Sequence, residues 1–320
     1  MKRLTYFLLL ILLLFAIIPG CGSPPTAPLE GPLSPAGPPS PKVSQPGAAS
    51  TGVVTAEVLN VYRSPDPGSE VVTQAIYNQP VELIQDLGHW SRVRVVDGYL
   101  GWVVSDSISH DVSSLRPPGA DRRAVVLAKT QDVYASPDTS GVHGQRLLEA
   151  VMGTELYAVG QDGDWYRVSL PGDRTGWVRA GGVSLLPPGA AIPRTDAEGF
   201  IKALEGFLDT PYLWGGVSVR GIDCSGLTYI CSRVSGVELP RDADQQYGRG
   251  TPVAGGLEGL RRGDLVFFRH TEESGPITHA GVYLDGGRFI HASGIDRKVT
   301  VSRLDQGYYS KRLVGARRIF

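Results

Sequence analysis

Apolar and polar positions alternate in distinct regimes along this chain. Phe7 to Ile18 is an unbroken apolar run behind Lys2 and Arg3. It is short for a bilayer span, which needs about 20 residues, and suits the hydrophobic segment of an export signal. Gly22 to Thr51 holds 9 Pro and 4 Gly in 30 residues and no aromatic. Such a stretch cannot bury enough apolar surface to offset chain entropy, so it is expected to be an extended linker. At ~3.1 Å per residue in polyproline form it would reach roughly 90 Å. Between residues 52 and 187 the period becomes 2, as in Trp90-Ser91-Arg92-Val93-Arg94-Val95, with Gly and Asp turns between short runs. That pattern predicts closely spaced strands. Ala197, Phe200, Ile201, Leu204, Phe207 and Leu208 then follow helical spacing, with Thr195 and Glu198 as a capping box and Thr210-Pro211 as the stop.

The strand-rich region is duplicated. Val61-Tyr62-Arg63-Ser64-Pro65-Asp66 matches Val133-Tyr134-Ala135-Ser136-Pro137-Asp138, an offset of 72. Gly88-His89-Trp90 matches Gly163-Asp164-Trp165, and Gly101-Trp102-Val103 matches Gly176-Trp177-Val178, both at an offset of 75. Each copy is expected to be a small β-barrel, over residues 52–114 and 120–187, and each resembles a bacterial SH3-like domain. The joints Leu115-Arg116-Pro117-Pro118-Gly119 and Leu186-Pro187-Pro188-Gly189 are short and stiff, so three units in series are expected to dock.

Composition narrows the possibilities further. Lys+Arg 31 against Asp+Glu 32 leaves a formal charge of −1, with no basic field for nucleic acid. A hydrophobic fraction of 42% is that of a globular protein, and three cysteines are too few for a disulfide scaffold. Ile18-Pro19-Gly20-Cys21 resembles a bacterial lipoprotein cleavage box. The resemblance implies removal of the signal (residues 1–21 with its box), lipidation of Cys21, and a membrane-anchored protein at the extracytoplasmic face. A signal cut elsewhere, or an uncleaved anchor, would also place the chain outside the cytoplasm.

The chemistry gathers in the last 126 residues, 195–320. Asp223-Cys224-Ser225-Gly226 precedes a helical stretch, Thr228 to Val234, so Cys224 should stand at a helix N-terminus. Free N–H groups and the positive dipole end there favour thiolate over thiol. A thiol nucleophile needs a base that later serves as acid for the leaving amine. Of the six histidines, His279 and His291 lie on two predicted strands, residues 279–284 and 288–293, around Asp285-Gly286-Gly287. A three-residue loop pairs Gly281 with His291 and brings both imidazoles to one face as diagonal neighbours; a two-residue loop separates them. Cys231 reads as an apolar helix position facing the core. Seven residues of helix from Cys224 span about 10.5 Å, beyond the roughly 7 Å Cα limit of a disulfide. No Cys/His pair has metal-ligand spacing and no phosphate loop occurs, so neither metal nor cofactor is expected.

A Cys at a helix start, a His on one strand and a second His on the next resembles the NlpC/P60 family of papain-like cell-wall endopeptidases. Thr278-His279-Ala280-Gly281, Phe289-Ile290-His291-Ala292 and Arg262-Gly263-Asp264-Leu265 fit that family in order and spacing. The resemblance implies an α+β catalytic domain over residues 195–320, with Cys224 as nucleophile, His279 as base and acid, and His291 as orienter. It further implies an oxyanion site at the Cys224 N–H with the Tyr212 hydroxyl. Asp223 and Ser225 would line the substrate. Asp242 reads as a helix N-cap that, by the resemblance, can also meet the substrate's free amine. Tyr99, in Gly98-Tyr99-Leu100, is the barrel position expected to reach the groove. The implied partners are peptidoglycan stem peptides beginning L-Ala-γ-D-Glu-diamino acid. A non-catalytic wall-binding protein and an N-acetylmuramoyl amidase or acyltransferase with the same Cys/His/His set are the competing readings.

Overall fold

The computed structural model describes residues 50–138, 144–272 and 274–320. The export signal, Cys21 and nearly all of the Pro-rich stretch lie outside the described residues, as does His143.

Two antiparallel sheets come first. One contains β1 (Ser50–Val54), β2 (Val58–Tyr62), β3 (Val71–Ile76), β4 (Pro80–Asp86), β5 (Trp90–Arg94), β6 (Leu100–Val104) and β7 (Ile108–Ser109) in the order β3-β2-β6-β5-β4-β1-β7. The other contains β8 (Arg122–Val126), β9 (Thr130–Tyr134), β10 (Arg146–Val151), β11 (Glu155–Asp162), β12 (Trp165–Leu170), β13 (Arg174–Arg179) and β14 (Val183–Leu186). Its order, β10-β9-β13-β12-β11-β8-β14, repeats the first. The repeated Gly-Trp pair has one cause in both. A Cβ on Gly101 would come within 2.6 Å of Val61 Cγ1, and one on Gly176 within 2.6 Å of Val133 Cγ1. Only glycine lets those strands close on each other.

The third part places α1 (Ala197–Glu205), a ribbon of β15 (Val217–Ser218) with β16 (Gly221–Ile222), α2 (Cys224–Val234) and α3 (Ala243–Tyr247) before a sheet. That sheet is built from β17 (Thr251–Pro252), β18 (Leu265–Arg269), β19 (Ile277–Tyr283), β20 (Arg288–Ser293), β21 (Lys298–Arg303) and β22 (Leu313–Arg318), with α4 (Gly307–Ser310) before the last strand. The strand order is β17-β22-β18-β19-β20-β21. α1 and α2 bury Phe200, Ile201, Leu204, Leu227, Ile230 and Cys231 in one core with Leu265, Phe267 and Val282 of the sheet. Each large aliphatic side chain so buried stabilises the fold by about 1.5–3 kcal/mol.

Two details of α1 differ from expectation. Its N-cap is Asp196, whose carboxylate accepts the Gly199 N–H at 2.9 Å, while Thr195 Oγ1 donates to the Asp196 carbonyl. Glu198 pairs instead with Arg262 at 2.7 Å. The helix also ends at Glu205, before a turn through Gly206, and Leu208 is exposed. Asp209, at φ 63°, reverses the chain ahead of Pro211.

The three parts touch closely. Ile76, Val151 and Val217, one from each, form a buried apolar junction. Met152, between β10 and β11, is buried in the core of the third part, and Tyr77, after β3, in the core of the second.

Candidate active site

Asp223 caps α2, and its carboxylate accepts the Gly226 N–H at 2.7 Å and the Gly215 N–H at 2.9 Å. One side chain thus ties the helix start to the loop before it. Arg241 completes this arrangement with Nη2 2.6 Å from Asp223 Oδ2 and Nη1 3.0 Å from Oδ1. Nη1 also donates to Ser225 Oγ at 3.0 Å. Burial opposes the charge of Arg241, but Asp223, Asp97 and Asp242 outweigh it and hold the guanidinium above its ordinary range.

Cys224, the first residue of α2, is buried. Its Sγ is 4.0 Å from the Thr278 carbonyl and accepts from the Ala280 N–H, so it rests against the backbone on both sides of His279. Burial, then the charge of Asp223, pushes the thiol up to about 12, against the Ala280 and Ser225 N–H groups and Arg241. Burial thus opposes the thiolate expected at a helix start. The dipole and free N–H groups contribute up to about 2 kcal/mol, less than the loss of hydration on burying an ion. Burial likewise pushes His279 down to about 4, so both shifts favour a neutral thiol and a neutral imidazole.

The histidine pair has the geometry of the three-residue loop. The Leu284 N–H donates to the Arg288 carbonyl at 2.9 Å, and Val282 faces Ile290, the register in which Gly281 falls opposite His291. His279 Nε2 lies 2.8 Å from His291 Nδ1. His291 has no exposed surface; it stacks on Phe289 with centroids 4.5 Å apart, and its Nε2 is 3.0 Å from Ser302 Oγ. Burial and then His279 keep it well below the ordinary imidazole range. His89, His110 and His270 are exposed and away from this cluster. Tyr212 is half-buried, its phenol lifted by burial and then by Cys224 and Asp223. Cys231 is wholly buried, and both cysteines are free.

A cavity of about 310 Å³ opens on Cys224. At one end the Tyr99 hydroxyl donates to Asp242, 2.8 and 2.9 Å from its two oxygens. Asp242 occupies the N-cap position of α3 but makes no capping bond, because its carboxylate turns to Tyr99. The first sheet adds more. Glu70 accepts the Trp214 Nε1–H at 2.9 Å, and Thr73 Oγ1 is 3.4 Å from Arg241 Nε. Arg63 and Arg241 line the cavity against four carboxylates, Glu70, Asp223, Asp242 and Asp244. Arg63 pairs with Glu70 and Arg241 with Asp223, while Asp242 has no salt bridge among the described residues. The excess negative charge suits a cationic ligand group. Ser302, Arg241, Thr73 and Glu70 carried no sequence signal, although Arg241 adjoins Asp242. Among the described residues no His, Cys and carboxylate group could hold a metal ion.

The NlpC/P60 family matches residues 209–318, and the bacterial dipeptidyl-peptidase Sh3 domain matches residues 61–108. A γ-D-glutamyl-L-lysine dipeptidyl-peptidase of Bacillus cereus is 30% identical over 258 residues, 78% of this chain and 75% of that protein. The protein of the same name from Bacillus subtilis is 27% identical over 264 residues, 78% of this chain and 81% of that one. A crystal structure of an NlpC/P60 family protein from Bacillus cereus superposes with a TM-score of 0.75 at 26% identity, over 84% of this chain and 99% of that chain.

Proposed function

Because the chain belongs to the NlpC/P60 family, we propose that it is a cysteine endopeptidase cutting the γ-D-glutamyl-diamino acid bond of peptidoglycan stem peptides with a free N-terminal L-Ala. The observation that carries the reading is Asp242, which accepts from Tyr99 in the cavity that Cys224 also lines and has no salt bridge among the described residues. A desolvated ammonium needs such a partner. Acetylation would remove the charge, add bulk against Tyr99 and leave Asp242 unpaired. In this reading both seven-stranded sheets are SH3-like barrels, and the first narrows an otherwise open groove.

The chemistry follows from the neutral pair. Sγ attacks the γ-carbonyl carbon of D-Glu as the free Nδ1 of His279 takes the thiol proton. The Cys224 N–H, with the Tyr212 hydroxyl, meets the tetrahedral oxyanion. His279 then gives its proton to the diamino acid nitrogen, which leaves as the amine. Water attacks the thioester, His279 accepts the water proton and returns it to sulfur, and L-Ala-D-Glu departs. His291 holds His279 Nε2, leaving Nδ1 free to serve the sulfur. In the same reading the chain is exported and lipid-anchored at Cys21, with the Pro-rich stretch as tether; Cys21→Ala should release it from the membrane fraction.

The test is mass spectrometry of products from L-Ala-γ-D-Glu-L-Lys, its meso-diaminopimelate counterpart and their N-acetylated forms. The free peptides should yield L-Ala-D-Glu plus the diamino acid, and the acetylated ones should persist. Equal rates on free tripeptide and intact peptidoglycan would refute the selectivity. An intact free tripeptide would leave a binding protein.

A further inference from the structure

Resting on the cysteine-peptidase reading, one residue outside the expected set bears on the base. When His279 takes the thiol proton, both of its nitrogens carry hydrogen. Its Nε2–H can then only donate to His291 Nδ1, 2.8 Å away. That donation requires Nδ1 of His291 to be bare, so a neutral His291 must carry its proton on Nε2. This is the nitrogen 3.0 Å from Ser302 Oγ. His291 is fully buried, with one ring face on Phe289 and its edge toward Tyr309 at 5.0 Å. Without an oxygen at Ser302 the Nε2–H would be a buried donor with no partner among the described residues, and such a group loses its full hydration. With both imidazoles neutral the proton on the shared Nε2···Nδ1 line can sit on either ring. Only the charged intermediate demands one arrangement.

We infer that Ser302 is a positioning residue: its hydroxyl oxygen accepts the His291 Nε2–H and so sustains the one tautomer of His291 that lets His279 act as base. Ser302 lies on β21, where Phe289 pairs with it across the strands, so its side chain reaches His291 as a diagonal neighbour. The residue is only partly buried, leaving its own proton free to turn toward solvent. It touches neither thiol nor cavity. Its effect should therefore fall on proton transfer and leave substrate binding alone.

The experiment compares Ser302→Ala and Ser302→Thr in the full chain by peptide kinetics and by Cys224 alkylation with iodoacetamide at neutral pH. Ser302→Ala should lower kcat about tenfold, the worth of one hydrogen bond serving a developing charge, with KM unchanged and alkylation slowed to a similar extent. Ser302→Thr, which keeps the hydroxyl, should stay within about threefold of wild type. In a His291→Ala background the Ser302→Ala change should add nothing, since the two act as a unit. A Ser302→Ala protein with wild-type kcat and alkylation would overturn the inference, as would the same loss persisting without His291. Alkylation does not depend on turnover. A protein that cuts no peptide yet shows the Ser302 dependence would sink the peptidase reading and keep this one.

Discussion

Replacing Arg241 by Met should lower stability more than any other single change near the cavity. The side chain is 3% exposed and bonds both oxygens of Asp223, at 2.6 and 3.0 Å. Met fills similar volume, so the loss is chiefly electrostatic. Asp223 would keep the Gly226 and Gly215 N–H groups and Ser225 but lose its buried cation. Removing one partner of a buried pair costs about 3–5 kcal/mol, because the other charge is left uncompensated. In a compact unit of this size each kcal/mol moves the melting temperature by about 2–4 °C, so the loss should be roughly 6–20 °C. The unpaired carboxylate would also sit beside Cys224, whose thiol it already pushes up, so peptide turnover should fall in the folded fraction. Scanning calorimetry and turnover below the transition would measure both effects. The double variant Arg241→Met/Asp223→Asn should recover more than half of the lost stability, since it removes the stranded charge. A single variant melting within about 2 °C of wild type would refute the reasoning.

Tyr99→Phe removes the hydroxyl that donates to Asp242 and should raise KM for free-amine tripeptide about five- to tenfold, with little change in kcat; an unchanged KM would separate Tyr99 from recognition. Since burial pushes Cys224 up to about 12 and His279 down to about 4, iodoacetamide labelling of Cys224 should climb steadily above neutral pH. A labelling plateau reached by pH 6 would instead indicate a resting thiolate. The depressed imidazole of His279 contributes stability that is present above the unfolded value near 6.5 and lost as pH falls through about 4. Activity, which in the proposed mechanism needs His279 unprotonated, should fail only as pH falls through about 4, and full turnover at pH 3 would contradict the assignment. Cys231, wholly buried, should label only on unfolding, as peptide mapping after native and denatured labelling would reveal.

What the sequence made legible was whatever depends on neighbours along the chain. Loop length alone fixes the hairpin register, so the meeting of His279 and His291 follows from Asp285-Gly286-Gly287. Helical spacing likewise placed Cys224 at a helix start and Cys231 in the core. Local rivals blurred finer points. Thr195 and Asp196 both make good caps, and the carboxylate prevailed. The thiolate expectation took no account of burial, because helix-end electrostatics is local, whereas burial under β19 belongs to the packed whole. Asp242 holds its expected position, but a tyrosine 143 residues away claims its carboxylate. Ser302, Thr73 and Arg241 act across strands and between parts of the chain, where no spacing rule reaches.

The second sheet contributes no residue to the cavity, and its packing suggests why it is nonetheless present. Gly153, at φ 85°, lies so close to Ile230 of α2 that an added Cβ would be 2.6 Å from its Cδ1. Met152 and Val151 press into the same region, and Tyr77 ties the first sheet into the second. The second sheet thus behaves as a jig, clamping two tools at a set separation: the helix with the thiol, and the first sheet with Tyr99, which under the proposed function marks where the substrate stops. Wear in a jig appears as lost tolerance before lost power. Loosening this clamp, for instance by Ile230→Ala, should therefore erode discrimination between free and acetylated peptides before it erodes the chemistry.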